Sequence, residues 1–336
     1  MRVALDARGA GDVRGIGRYV RCLRDALVAT APEGSTIVER RRPVGCDAFH
    51  SPWIDGALLR PGRPQVVTLH DLVPLKRRAE YLRTGVRFRL RYAAVARADR
   101  IIVPTAAVAD DVLRHLGVDG DRVRTIHEAP APGFRPADDD AVAAVREELG
   151  LPDAFLLWVG GLRSRDPRKR VSELVAAPRT MPLVLVGPTG PWTAELTGGP
   201  EATGPAGGAG ARGGRAGGDR GARGDGAAGI HLTGEVTDEQ LTALYTAAHA
   251  LVLASDDEGF GLTPLEALAC GCPVACTDVP AVREVLGDHA TFVDRDDLAG
   301  LVAAAEASSR PAPAAPAWTW EDAARATWAV YREIAA

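Results

Sequence analysis

Two glutamates, Glu258 and Glu266, are separated by seven residues in the run Glu258-Gly259-Phe260-Gly261-Leu262-Thr263-Pro264-Leu265-Glu266. The apolar run Ala250–Ala254 before them reads as a buried strand, and the residues after Thr263 read as a helix. The order is therefore strand, glycine loop, helix, with one carboxylate on each side of the loop. Carboxylates accept hydrogen bonds from hydroxyls. The backbone amides of Gly259, Phe260 and Gly261, with the helix N-terminus behind them, favour negative charge. Together these groups suit a ligand that is anionic and polyhydroxylated. Each glutamate also has a plainer explanation. Thr263-Pro264-Leu265-Glu266 matches a capping box with proline at the first helical position. Glu258 can be read as a solvated loop acid beside Asp256 and Asp257.

A second group follows the strand ending at Val159: Gly160-Gly161-Leu162-Arg163-Ser164-Arg165-Asp166-Pro167-Arg168-Lys169-Arg170. Alone it is a solvated basic loop, but opposite the glutamates it would complement a diphosphate. A third is Gly11-Asp12-Val13-Arg14-Gly15-Ile16-Gly17-Arg18-Tyr19, a glycine loop after the first strand. It lacks the third glycine of a dinucleotide fingerprint, which disfavours a nicotinamide-dependent dehydrogenase. His70-Asp71 and His50-Ser51-Pro52-Trp53 end two further strands, where ligands sit in open α/β sheets.

The run from Glu258 to Gly271 resembles the motif of retaining glycosyltransferases of family 4, group 1. That resemblance implies an α/β GT-B fold, two Rossmann-like domains facing an interdomain cleft. It implies a hexosyltransferase that moves a sugar from a nucleoside-diphosphate sugar to a hydroxyl with retention of configuration. Residue by residue, Glu258 would contact the transferred sugar and Glu266 the donor ribose. Arg163 and Lys169 would stabilise the leaving diphosphate, although Arg165, Arg168 and Arg170 leave the register of that pair open. Gly259, Phe260, Gly261 and Leu262 would line the donor, Gly15 and Gly17 would face it across the cleft, and His70 would meet the sugar or the acceptor. Glu284 also matches a family glutamate, and its expected role is local structure. No metal and no cofactor beyond the donor are expected. The Arg-x5-Lys spacing and His50-Ser51-Pro52 look like mannosyltransferase relatives, so GDP-mannose is the expected donor, with UDP-linked sugars open. The acceptor (glycan, lipid-linked or small molecule) is not specified. A catalytically silent sugar-nucleotide-binding regulatory or assembly protein is the rival reading.

These loops need elements to hold them. Apolar runs and helical stretches alternate along both halves, which predicts parallel sheets with right-handed crossovers. The Pro/Gly run Glu128–Pro136 reads as a linker. The expected organisation is an N-terminal acceptor domain at 1–133, a nucleotide-sugar domain at 134–318, and a terminal helix at 319–336 that packs back on the first domain. Residues 198–229 are almost wholly Gly, Ala, Arg and Asp, and read as a disordered insertion. The chain has 336 residues, 46% of them hydrophobic, and a formal net charge of −4, which argues against nucleic acid as a partner. The start, Met1–Asp6, reads directly as a strand with no apolar leader, so the expected location is cytoplasmic. Arg83, Arg87 and Arg91 share one face of a helix expected near 81–98. That face is either solvated or a peripheral contact with anionic membrane at its inner surface. Cys270, Cys272 and Cys276 read as small buried thiols rather than a zinc site, because the spacing is not C-x2-C. The Asp-rich runs at 138–140 and 294–297 read as helix caps.

Overall fold

The computed structural model describes residues 1–12, 15–77, 85–197 and 229–335, with backbone alone at 85–88. The insertion expected at 198–229 falls outside these residues except for Gly229. The first half contains β1 (Arg2–Leu5), α1 (Gly15–Ala29), β2 (Thr36–Glu39), β3 (Ala48–Ser51), β4 (Gln65–Thr68), α2 (Val73–Lys76), α3 (Gly85–Val95), β5 (Arg100–Val103), α4 (Ala106–Leu116) and β6 (Val123–Thr125). The second half opens with α5 (Asp139–Leu149), β7 (Leu156–Val159), α6 (Val171–Ala176), β8 (Leu183–Val186), α7 (Pro191–Thr197), β9 (Ile230–Gly234) and α8 (Asp238–Ala247). It closes with β10 (Ala250–Leu253), α9 (Leu262–Ala269), β11 (Val274–Thr277), α10 (Pro280–Leu286), β12 (Thr291–Val293), α11 (Leu298–Glu306) and α12 (Trp320–Ala335).

The strands form two six-stranded sheets, ordered β2-β1-β3-β4-β5-β6 and β12-β11-β10-β7-β8-β9. Every pairing is parallel. Parallel strands are covered by helices on both faces, which explains continuous apolar runs such as Ala250–Leu253, buried at every position. In the second sheet the chain order reverses between β7 and β10, the topological switch point at which open α/β sheets bind ligands. In the first sheet the reversal falls between β1 and β3. The two loops richest in chemistry, after β7 and after β10, therefore emerge side by side.

β2 went unrecognised in the sequence. It is a short edge strand whose residues are all at least partly exposed, so it carries no apolar run. The helix caps follow local chemistry. Asp138 accepts from Ala141 N and Asp297 from Gly300 N, which accounts for both Asp-rich runs. Thr237 and Gln240 form a reciprocal capping box on α8. One expected cap is corrected: α9 starts at Leu262 with Gly261 as its N-cap, so Glu266 lies in the body of the helix and makes no capping box. Gly261 sits at φ +98, a backbone conformation that favours glycine.

α12 lies on the first half. Trp320, Trp328 and Tyr331 join one core with Val3, Leu5, Tyr19, Val20 and Leu27. The Trp328 indole donates to Leu27 O at 3.0 Å. His50 is part of this core and not of a site. It is fully buried between Tyr331 Oη (2.5 Å) and Thr68 Oγ1 (2.9 Å), and burial pushes its pKa down to about 3, so it is neutral. Cys270, Cys272 and Cys276 are buried free thiols, each raised by burial to about 12.

Candidate active site

Glu258 leaves the end of β10 and turns back over the switch point. Its Oε1 accepts from Ser255 Oγ at 2.7 Å and from Lys169 Nζ at 3.3 Å, while Arg168 approaches Oε2 at 3.7 Å. Burial alone would raise its pKa, but Lys169, Arg168 and the Ser255 hydroxyl outweigh that and hold it at about 2. It is therefore a carboxylate at all physiological pH, not a solvated loop acid. Arg168 ties the cluster to the other half of the molecule through Asp71 at 3.6 Å and is held within its own loop by Asp166 at 3.0 Å. Burial opposes its charge, and the three carboxylates more than restore it.

Arg163, the other expected phosphate ligand, stays at the rim. Its side chain is 69% exposed, and its nearest ion-pair partner is Glu235 at 3.8 Å. The structure thus brings Lys169 and Glu258 together and leaves Arg163 apart, toward the β9 end of the cleft.

Glu266 is fully buried. Arg18, arriving from α1 in the other half, donates to both its carboxylate oxygens at 2.8 Å and also contacts Asp238. The guanidinium lies 4.9 Å from the centre of the Phe134 ring, and Arg18 Nε is buried without a partner. Burial drives the Glu266 carboxyl up to about 8 despite Arg18, so its environment is the reverse of that of Glu258.

Gly259 explains how closely the halves approach, since a Cβ there would collide with the His70 carbonyl. A Cβ on Gly17 would collide with the Asp12 carbonyl of its own loop. Gly15 faces the Leu262 side chain across the cleft. Thr105 Oγ1 donates to Gly259 O at 3.0 Å. Phe260 is buried close to His127 and Trp318.

His70 is positioned at this junction, but its ring is committed elsewhere. Nδ1 faces Glu128 Oε1 and Nε2 faces Pro52 O, each at 3.0 Å. Both partners are acceptors, which favours the charged ring. Burial works against that charge, and Glu128, the Pro52 carbonyl and Asp71 raise the pKa nonetheless. Both ring nitrogens are thus engaged within the first half, and what meets Gly259 across the cleft is the His70 carbonyl.

Arg18 and Ser255 were not singled out in the sequence, although Arg18 stands inside a loop already marked, and Arg168 was named only among the arginines that left the register of the cationic pair open. Arg83 lies outside the described residues, as does the Arg87 side chain. Arg91 pairs with Asp55 at 2.5 Å and is half-buried.

Two six-stranded parallel sheets facing a polar, charge-paired cleft define a two-domain α/β protein, and comparison with known proteins gives its family. Residues 225–309 match the model of glycosyl transferases group 1, and residues 8–129 that of glycosyltransferase family 4. A D-inositol 3-phosphate glycosyltransferase of Streptomyces scabiei is 31% identical over 328 residues, covering 86% of this chain and 68% of that protein. The serotype-specific mannosyltransferase WbdA of Escherichia coli is 29% identical over 238 residues, covering 69% of this chain. This chain spans only 27% of the length of WbdA. The chain belongs to the group 1, family 4 glycosyltransferases. Its fold is GT-B, as in sucrose-phosphate synthase of Thermosynechococcus elongatus (TM-score 0.64, 20% identity, 100% of this chain and 96% of that one). The glycosyltransferase WaaG shares it as well (TM-score 0.65, 16% identity, 96% and 94% covered). So does HepE of Anabaena, solved with UDP-glucose (TM-score 0.62, 14% identity, 99% and 95% covered).

Proposed function

We propose that the protein transfers a hexose from a nucleoside-diphosphate sugar to a hydroxyl acceptor with retention of configuration. The observation that carries this reading is the Glu258–Lys169 contact at the β7/β10 switch point. It sets a permanent carboxylate for sugar hydroxyls beside a cation for the departing diphosphate. Glu266, at the first turns of α9, serves the ribose, and the β9 end of the cleft takes the base. Arg163 is free to swing onto the phosphates from the rim. In the transfer, the bond from the anomeric carbon to the phosphate oxygen breaks as the acceptor oxygen bonds on the same face. The leaving phosphate takes the acceptor proton. The positive charge of Lys169, Arg168 and Arg163 does the work a metal does elsewhere.

The mannosyltransferase relatives, together with the Arg163-x5-Lys169 spacing, favour GDP-mannose as donor. A thermal-shift series with GDP, UDP, ADP and CDP tests the reading, because a cognate ligand raises the melting temperature by mass action. GDP is expected to give the largest rise, reduced in Lys169→Ala. A flat response to all four nucleotides would refute the donor site.

A further inference from the structure

Glu266, the carboxylate assigned above to the ribose, is covered. It is fully buried, and each of its oxygens accepts from Arg18 Nη1 at 2.8 Å. Side-chain exposure rises outward along the three charged groups, from 0% at Glu266 through 16% at Arg18 to 56% at Asp238. Arg18 therefore lies between the carboxylate and solvent. Its second arm holds Asp238 at the start of α8, and its guanidinium rests on the Phe134 ring. Arg18 belongs to the first turn of α1, whereas both carboxylates belong to the other half. The cover is thus carried by one half of the molecule and seated in the other.

The seat satisfies Arg18 incompletely. Its Nε is buried without a hydrogen-bond partner. A buried donor left unmet costs free energy, and a buried ion pair returns little beyond its own desolvation cost. Asp238 also repels the Glu266 charge that Arg18 attracts. A contact balanced this closely yields to a competitor that suits the carboxylate better. A pair of adjacent ribose hydroxyls is such a competitor, because both donate to a carboxylate and neither carries a charge to desolvate.

We propose that Arg18 is an autoinhibitory latch: it competes with the donor ribose for Glu266 and closes the ribose subsite until donor binding displaces it. The proposal rests on the donor reading above, in which Glu266 serves the ribose. A latch lowers apparent affinity by the fraction of time it stands open. Its removal therefore tightens nucleotide binding. Removal of an arginine that contacts the donor weakens binding, and removal of one that only supports the fold does not strengthen it.

Isothermal titration calorimetry on the full chain with GDP, UDP and their 2′,3′-dideoxy forms tests the latch. Arg18→Met keeps an aliphatic stem over Phe134 and removes the competing charge. It is expected to tighten binding of the better ribonucleotide by about tenfold, the gain when a subsite open about a tenth of the time becomes fully open. The dideoxy form has no ribose hydroxyls to place on Glu266, so no gain is expected for it. Arg18→Lys keeps a cation beside the buried carboxyl and guards against a variant that fails to fold. One ammonium cannot span Glu266 and Asp238 as the guanidinium fork does, so a smaller gain in the same direction is expected. Affinity that is unchanged or weaker in the folded variants, or an equal gain for the dideoxy nucleotide, would overturn the latch. Either result leaves the donor reading standing if the unaltered chain binds a ribonucleotide. If neither the unaltered chain nor the variants bind GDP or UDP, the donor reading itself is rejected, and the latch with it.

Discussion

Glu258 and Glu266 are the same residue type eight positions apart, yet one is held at about 2 and the other driven to about 8. The difference lies in their partners. Glu258 gains Lys169, Arg168 and Ser255, while Glu266 is buried with one arginine and a neighbouring aspartate. The motif made both glutamates visible in the sequence. Their electrostatics were not visible, because Glu266 is governed by its burial and by a cation, Arg18, that comes from 248 positions away. The same limit hid the fate of His70, whose ring is taken by Glu128 and Pro52. Removing Arg18 leaves a buried carboxyl without its cation, the situation in which breaking an ion pair costs about 3–5 kcal/mol. Arg18→Ala should therefore lower stability by an amount at or below that range, since Glu266 can take up a proton. The loss in Arg18→Ala/Glu266→Gln should be smaller than the sum of the two single losses. Urea titration of the four proteins measures the cycle, and additive losses would mean that the contact carries no coupling.

At the scale of elements, buried strands and their order were legible because parallel strands write themselves as apolar runs. The edge strand β2 was not, and neither was the true start of α9, where a left-handed glycine displaced the expected threonine cap. Caps made across the cleft were beyond reach altogether. Past the Thr105 cap, the first turn of α4 leaves three amides, those of 106–108, without an intrahelical acceptor. Thr105 Oγ1 serves Val108 N at 3.2 Å. Glu284 on α10 serves the other two, Ala106 N at 2.7 Å and Ala107 N at 3.1 Å, and also faces His127. The local-structure role expected of Glu284 is thus a cap supplied by one half of the molecule to a helix of the other. Glu284→Ala should cost about 1 kcal/mol, the usual loss on deleting a capping side chain. It should also loosen closure, read as a larger radius of gyration in small-angle scattering without nucleotide. An unchanged melting temperature together with an unchanged radius would show that the cap is not holding the halves.

At the scale of the whole molecule, the halves meet along a line of charge and backbone contacts. Arg18 reaches Glu266, Lys76 reaches Asp257, Arg77 reaches Asp256, Arg168 reaches Asp71, and Thr105 reaches Gly259 O. Among the described residues, no helix is long and apolar enough to cross a membrane. The two-sheet architecture was legible from strand–helix alternation plus one motif. The pairing of the two cleft faces was not, since each contact joins segments that local periodicity treats independently. Beside this line Glu258 meets Lys169 at one switch point, and the roles proposed for that pair, a carboxylate for the sugar and a cation for the phosphate, are the centre of the account. The most direct test is the rate of nucleoside diphosphate release from GDP-mannose by Glu258→Gln, measured beside its affinity for GDP. The account predicts release slowed by about 100-fold, the scale of losing one preorganised polar contact to the reacting group, with GDP affinity retained. Release at the unaltered rate, or loss of GDP binding in its place, would contradict the role assigned to Glu258.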